Sequence, residues 1–219
     1  MGQKINPLGF RIGPVYTWSS RWYADDKTYS KFLRQDVALR KALFERLKPA
    51  GLAQVEIERS IHKMKIILHV SRPGVVIGRG GAGLEEVKKY INTIAAVGKK
   101  SGEANTKIEL VVEPVKEPNL NAYLVASNIA DQLAKRMPHK RVCIATMDRV
   151  MNAGAMGVKI VLAGRIAGAE ISRKEKYKSG GIPLSTIRET VDYADVPSLT
   201  KSGYIGVKVW IYKNTEQSK

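Results

Sequence analysis

The segment Arg72-Pro73-Gly74-Val75-Val76-Ile77-Gly78-Arg79-Gly80-Gly81-Ala82-Gly83 does most to limit what this chain can fold into. Glycine lacks a Cβ, so it reaches backbone conformations closed to other residues and lets a second backbone come close. A run this rich in glycine fits neither the middle of a helix nor the middle of a strand. It is a loop, and its flanks decide which kind. After it, Leu84, Val87, Ile91 and Ile94 fall on one helical face. Before it come two alternating stretches: Val55 and Ile57, then Met64, Ile66, Leu68 and Val70 after His62-Lys63, which predicts a strand hairpin.

Further elements follow from the same periodicities. Tyr29, Phe32, Leu33, Val37, Phe44 and Leu47 predict a helix over about 26–48 with that row facing the core, stopped by Pro49 and Gly51. Ile108, Leu110 and Val112 predict a third strand after a polar loop at 98–106. Glu113-Pro114-Val115-Lys116-Glu117-Pro118 breaks both periodicities and marks the domain boundary. Beyond it, Val125, Ile129, Leu133 and Met137 step by four beside Ala122, Ala126, Ala130 and Ala134, and Pro138 ends that helix. A second helix is expected over about 139–152. Strands are expected at 158–162, 170–177, 188–193 and 207–211. The fold class is therefore α+β: residues 19–113 form one domain, and residues 119–219 a second of two helices and about four strands. Residues 1–18, with Gly2, Pro7, Gly9, Gly13 and Pro14, read as an arm that gains order by lying on something else.

The glycine loop has two readings. Gly78-Arg79-Gly80-Gly81-Ala82-Gly83 fits the G-x-G-x-x-G dinucleotide fingerprint, but that needs a buried strand running straight into the first glycine. The second reading is a KH-type RNA clamp, an Ile-Gly-x-x-Gly-x-x-apolar pattern between two helices. Ile77-Gly78-Arg79-Gly80-Gly81-Ala82-Gly83-Leu84 matches every fixed position. The order helix, strand, strand, short helix, loop, helix, strand is that of the KH type II fold. Bare glycine lets a nucleic-acid backbone approach, a helix N-terminus offers free N–H groups, and Arg79 adds charge at the tip.

Charge agrees with the second reading. Lys and Arg number 37 against 20 Asp and Glu, a net +17. Such an excess repels itself, and phosphodiester backbone is the commonest polyanion able to relieve it. No catalytic motif is present, so no catalytic residue is assigned. His62 and His69 have no zinc-like spacing and Cys143 is the only cysteine, so no metal, cofactor or disulfide is expected. Cys143 shares a helical apolar stripe with Met147 and Val150, which suits core packing. No apolar run reaches membrane-spanning length, and the start carries no apolar signal core, so no membrane role is expected.

Four further segments are more specific than the loop. Met1-Gly2-Gln3-Lys4-Ile5-Asn6-Pro7-Leu8-Gly9, Gly164-Arg165-Ile166-Ala167-Gly168-Ala169-Glu170-Ile171, Ile182-Pro183-Leu184-Ser185-Thr186-Ile187-Arg188 and Gly206-Val207-Lys208-Val209-Trp210-Ile211 stand beside the KH segment. Together they resemble the bacterial family of ribosomal protein S-three, the KH protein in the head of the small ribosomal subunit. The resemblance implies binding to small-subunit ribosomal RNA, contact with neighbouring head proteins, and a place where messenger RNA enters. It implies a protein that is not a homo-oligomer and works in cytoplasmic ribosomes, or inside an organelle that encodes it.

The RNA contacts expected on this basis are Arg72, Gly78, Arg79, Gly80 and Gly81 in the KH segment, Lys4 and Arg11 in the arm, and Arg165, Arg173, Lys174, Lys176 and Lys178 in the second domain. Arg173, Lys174, Lys176 and Lys178 lie on a strand, so two sheet faces are expected to be basic. Lys135, Arg136, Lys140 and Arg141 match family positions that are basic and face the messenger. The family usually continues with two more basic residues one turn on, where this chain has Ile144 and Ala145, followed by Asp148. That departure implies weaker separation of messenger strands.

Overall fold

The computed structural model describes residues 4–60, 63–96 and 107–213. The chain forms two compact units: Trp18–Lys116, and Glu117–Lys219 together with Met1–Thr17. The polar loop at 98–106 and His62 lie outside the described residues.

A one-turn helix α1 (Pro7–Phe10) opens the described chain. Asn6 Oδ1 accepts from Leu8 N at 2.9 Å, and Pro7 pre-sets the first helical φ. The first unit then runs β1 (Ser20–Arg21), α2 (Asp26–Arg46), β2 (Leu52–Arg59), β3 (Lys63–Val70), α3 (Pro73–Ile77), α4 (Ala82–Ala96) and β4 (Lys107–Pro114). From α2 onward this is the element order the KH type II pattern implies; the short β1 before it was not expected. Its sheet is ordered β1-β2-β3-β4. β2 and β3 pair antiparallel with Ile57 opposite Ile66. β3 and β4 pair parallel with Ile66 opposite Leu110. Parallel neighbours need a crossover, and α3, the glycine loop and α4 supply it. Leu39, Leu43, Ile57, Ile66, Leu68 and Ile91 form the centre of the core.

The first part of α2 is turned from the expected face. Tyr29, Leu33 and Val37 of the predicted row are exposed, whereas Leu39 and Leu43, outside that row, enter the core beside its Phe44 and Leu47. The cause is Asp36, which is buried at 1% exposure. A buried carboxylate needs partners. Asp36 Oδ1 accepts from Arg59 Nε at 3.0 Å, and Oδ2 accepts from Trp22 Nε1 at 2.8 Å and Ser20 Oγ at 3.0 Å. Satisfying that carboxylate fixes the rotation of the helix.

The second unit contains α5 (Ala122–Ala134), α6 (His139–Asn152), β5 (Gly157–Gly164), β6 (Arg173–Gly180), β7 (Val191–Thr200) and β8 (Gly203–Tyr212). Its sheet is ordered β6-β5-β8-β7 and is antiparallel throughout. One face presents Val158, Ile160, Leu162, Val207, Val209 and Ile211 to the two helices. Ala122, Ala126 and Ala130 are buried in the same core, which keeps α5 close to the sheet. The expected apolar row stops early, because α5 ends at Ala134 and Met137 is exposed. β6 starts three residues later than expected, where Arg173 first pairs with Gly164 of β5. β7 likewise runs Val191–Thr200 instead of 188–193, opposite the whole length of β8.

The arm is part of this second unit, and Arg11 shows why. Its side chain is fully buried. Nε donates to Glu189 O at 2.7 Å, Nη1 to Pro7 O at 3.1 Å, and Nη2 to Pro183, Leu184 and Thr186 carbonyls at 2.8–3.2 Å. The guanidinium gathers the loop before β7 around α1. Arg11 was expected to contact RNA; all its donors instead face protein carbonyls, so it holds the fold. Arg11→Met should destabilise the protein by about 3 kcal/mol, because several buried carbonyls lose a charged donor. Chemical denaturation measures this, and exposed Lys4→Met serves as the control that should leave stability unchanged.

Candidate nucleic-acid interface

Arg72 precedes α3, and Ile77 delivers the chain into the glycine loop, whose 3-10 turn spans Arg79–Gly81. The segment entering the loop is helical, so the strand-to-glycine geometry of a dinucleotide fold is not formed. The glycines divide their work. A Cβ on Gly83 would lie 2.7 Å from Val76 O, so Gly83 lets α3 and α4 meet backbone to backbone. Gly78 (φ 69°) faces Gly83 at similar range. Gly80 (φ 62°) and Gly81 (φ 84°) supply the left-handed turn, and nothing lies within 4 Å of where their Cβ would be. Arg72, Gly78, Arg79 and Gly80 are exposed and Gly81 half-buried. The result is a bare backbone tip with a guanidinium beside it, open to a phosphodiester chain.

Lys135, Arg136, Lys140 and Arg141 stand exposed around the reversal from α5 to α6. Arg136 N donates to Leu133 O at 2.9 Å and Met137 N to Gln132 O at 3.2 Å, which closes α5 with Arg136 at φ 61°. Ile144, Ala145 and Asp148 are also exposed, so the family's missing cations fall on open surface of α6. Arg165, expected for a different RNA contact, meets Arg136 at one pocket of about 410 Å3. Its Nε donates to Ala169 O at 2.9 Å and Nη1 to Ser202 O at 3.3 Å, which ties the turn after β5 to the β7–β8 hairpin. Lys201 lines the same pocket. It was missed from sequence, because its only signal is a place in a hairpin turn.

The uncovered face of the second sheet gathers the other cations. Register places Lys159 of β5 opposite Lys178 of β6 and Trp210 of β8, and Lys208 of β8 opposite Asp195 of β7. Lys174, Lys176 and Lys178 are exposed on that face. Burial pushes the Lys159 ammonium below its ordinary pKa, and Lys4, Lys176 and Lys178 push it further. Lys159 sits 4.7 Å from the Trp210 ring centroid, and Tyr193 packs against the same ring at 5.1 Å. Lys159, Lys208 and Trp210 were not singled out from sequence, because only strand pairing reveals their company. Strand alternation separates Arg173 from the three lysines, as expected. Arg173 lies on the other face of β6, with its Nε 3.0 Å from Glu175 Oε1, so only one face of the strand is strongly basic. Glu175 also accepts from the Tyr177 hydroxyl at 2.6 Å, and its Oε2 lies 3.1 Å from His139 Nε2.

The first sheet makes an instructive contrast. Its uncovered face carries Glu56, Glu58 and Glu113, pairing with Arg21, Lys65 and His69. Lys63, Lys107 and Glu109 share that face, so acids and cations are mixed there and its attraction for phosphate is weaker than that of a purely cationic face. Cys143 is fully buried, and burial, with the Glu175 charge, pushes its thiol up to about 12. Among the described residues no group of three His, Cys, Asp or Glu side chains could hold a metal ion, and no helix is long and apolar enough to cross a membrane.

Residues 38–120 match the family described as KH domain, and residues 129–211 the family described as Ribosomal protein S3, C-terminal domain. The chain is 44% identical over 213 residues to small ribosomal subunit protein uS3 of Caldicellulosiruptor saccharolyticus, covering 97% of this chain and 92% of that protein. The chain belongs to the uS3 family. The uS3 of Persephonella marina is 45% identical over 97% of this chain and 90% of its own length. That of Hydrogenovibrio crunogenus is 42% identical over the whole chain and 92% of its own length. As a uS3-family member the chain is a structural constituent of the small ribosomal subunit and not an enzyme.

Glu175 offers a pH-dependent check on the site. The Tyr177 hydrogen bond holds its carboxyl below the usual range against the opposing effect of burial, with His139, Arg173 and Lys140 adding to the lowering. Its folded pKa is thus below its unfolded value of about 4.3. The stability it contributes is complete above the unfolded value and is lost as pH falls through the folded one. Wild type should therefore be more stable than Glu175→Gln at pH 7, and the difference should shrink below about pH 4. Denaturation midpoints at the two pH values measure it.

Proposed function

We propose that the chain binds ribosomal RNA in the head of the small subunit and helps line the messenger entrance, in the ribosomes of the cytoplasm. The observation that carries this reading is the exposure of Lys135, Arg136, Lys140 and Arg141 on one helix reversal, none of them ion-paired among the described residues. Unpaired surface cations attract phosphate without reading sequence, which suits a channel that passes any messenger. Ribosomal RNA is the proposed partner of the glycine loop and of Lys4, Lys174, Lys176 and Lys178, with Lys159 and Lys208 added by the sheet register. The exposed apolar row Tyr29, Leu33 and Val37 on α2 is a surface suited to neighbouring head proteins. We propose no cofactor and no homo-oligomer for this chain.

The loop and the reversal are tested separately. Arg79→Asp with Gly80→Asp should lower affinity for single-stranded RNA about tenfold or more, and the fall should shrink with salt. Asp tolerates the left-handed region better than most residues, so circular dichroism should report an intact fold. Unchanged affinity in a folded variant would show that the loop touches no RNA. At the reversal, Ile144→Lys with Ala145→Lys should leave stability unchanged, because both positions are exposed. Ribosomes carrying that variant should translate through stable messenger hairpins faster than wild type; equal rates would remove α6 from the messenger path.

A further inference from the structure

Two non-glycine residues have positive φ among the described residues, Arg136 (φ 61°) and Ala167 (φ 57°). Both line the pocket between the α5–α6 reversal, the turn after β5 and the β7–β8 hairpin. Arg136 occupies the residue just past the end of a helix, where glycine is the usual occupant because an L side chain is strained there. It gains no ion pair inside the protein in return. The strain is consistent with an external task for the guanidinium.

The pocket's composition identifies that task. Its apolar floor is the exposed Ala167, Met137 and Pro138, backed by the buried Leu133, Leu162, Ile166 and Ile205. The cations Arg136, Arg165 and Lys201 stand on the rim. Arg165 keeps part of its guanidinium unused, since only Nε and Nη1 are engaged. A free inorganic anion would have no use for an apolar floor, and an apolar ligand none for three cations. A nucleotide needs both: a flat, weakly polar base and a charged phosphate. The volume of about 410 Å3 lies within the range of small-ligand sites. We infer that this pocket takes one unstacked nucleotide of bound RNA, with its base over the apolar floor and its phosphate at Arg136, Arg165 and Lys201. The inference rests on the RNA-binding reading above and adds a base-accepting site to surfaces that otherwise meet only backbone.

The test compares two 12-nucleotide probes, oligouridylate and an oligomer of the same sugar-phosphate backbone without bases. Ser202→Trp in the full chain fills the pocket from the hairpin and leaves all three cations in place. It should lower affinity for oligouridylate about tenfold, the scale of one lost base contact, and leave affinity for the base-free oligomer unchanged. An equal loss for both probes, or no loss for either, would overturn the base-accepting role. Arg136→Gly is the second variant and relieves backbone strain. Its melting temperature should be at or above wild type, while its affinity for both probes falls severalfold. Unchanged affinity would remove the guanidinium from the rim. If wild type bound neither probe, the RNA reading itself would fail, an outcome distinct from failure of the pocket.

Discussion

In each unit a four-stranded sheet buries one face under helices and leaves the other uncovered, and the chemistry of the uncovered face decides what the unit can meet. One-sided burial follows from strand periodicity: successive side chains point to opposite faces, so an apolar row for the core brings a polar row with it. In the first unit that row mixes Glu56, Glu58, Glu109 and Glu113 with Arg21, Lys63, Lys65 and Lys107. In the second unit it holds Lys159, Lys174, Lys176, Lys178 and Lys208, with Asp195 as the acid paired to it. On the proposed reading, the first unit meets RNA through its glycine loop, and the second through a sheet face and a helix reversal.

Like charges crowd one another in the second unit. Lys159 is pressed by Lys4, Lys176 and Lys178, and the pressure is relieved when phosphate approaches. Arg11 is the exception that explains the arm. Its charge is buried among carbonyls of α1 and the loop before β7, where it ties the N-terminal segment to the unit that carries Lys159. That tie keeps Lys4 beside the cationic sheet face. Lys4 and Arg11 are both arm cations in sequence, yet one adds charge to the surface and the other holds the surface together.

Periodicity alone disclosed most of the fold. Alternation at 64–70 and 108–112, and the four-step rows of α4 and α5, located their elements, and the prolines at 114 and 118 marked where one unit gives way to the next. Misreadings arose wherever a distant partner overrode the local pattern. Asp36 rotated α2 because Trp22, Ser20 and Arg59 converge on it, and two of those three lie outside the helix on its N-terminal side. The start of β6 was set by its partner Gly164, which no local window includes. Arg11 looked like an RNA contact because all but one of its partners are backbone carbonyls more than 170 residues away, and carbonyls have no sequence signature. The glycine loop was legible, since its spacing is local; the meeting of Arg136 with Arg165 and Lys201 was not, since three separate turns build that pocket.

On this reading, phosphate neutralisation by exposed cations holds the chain in the small ribosomal subunit. Sedimentation of a cell extract through sucrose gradients at low and at high salt tests it most directly, with the chain followed by antibody. The chain should travel with the small subunit at low and moderate salt and be released only as salt becomes high. Free protein at the top of the gradient at low salt would contradict it.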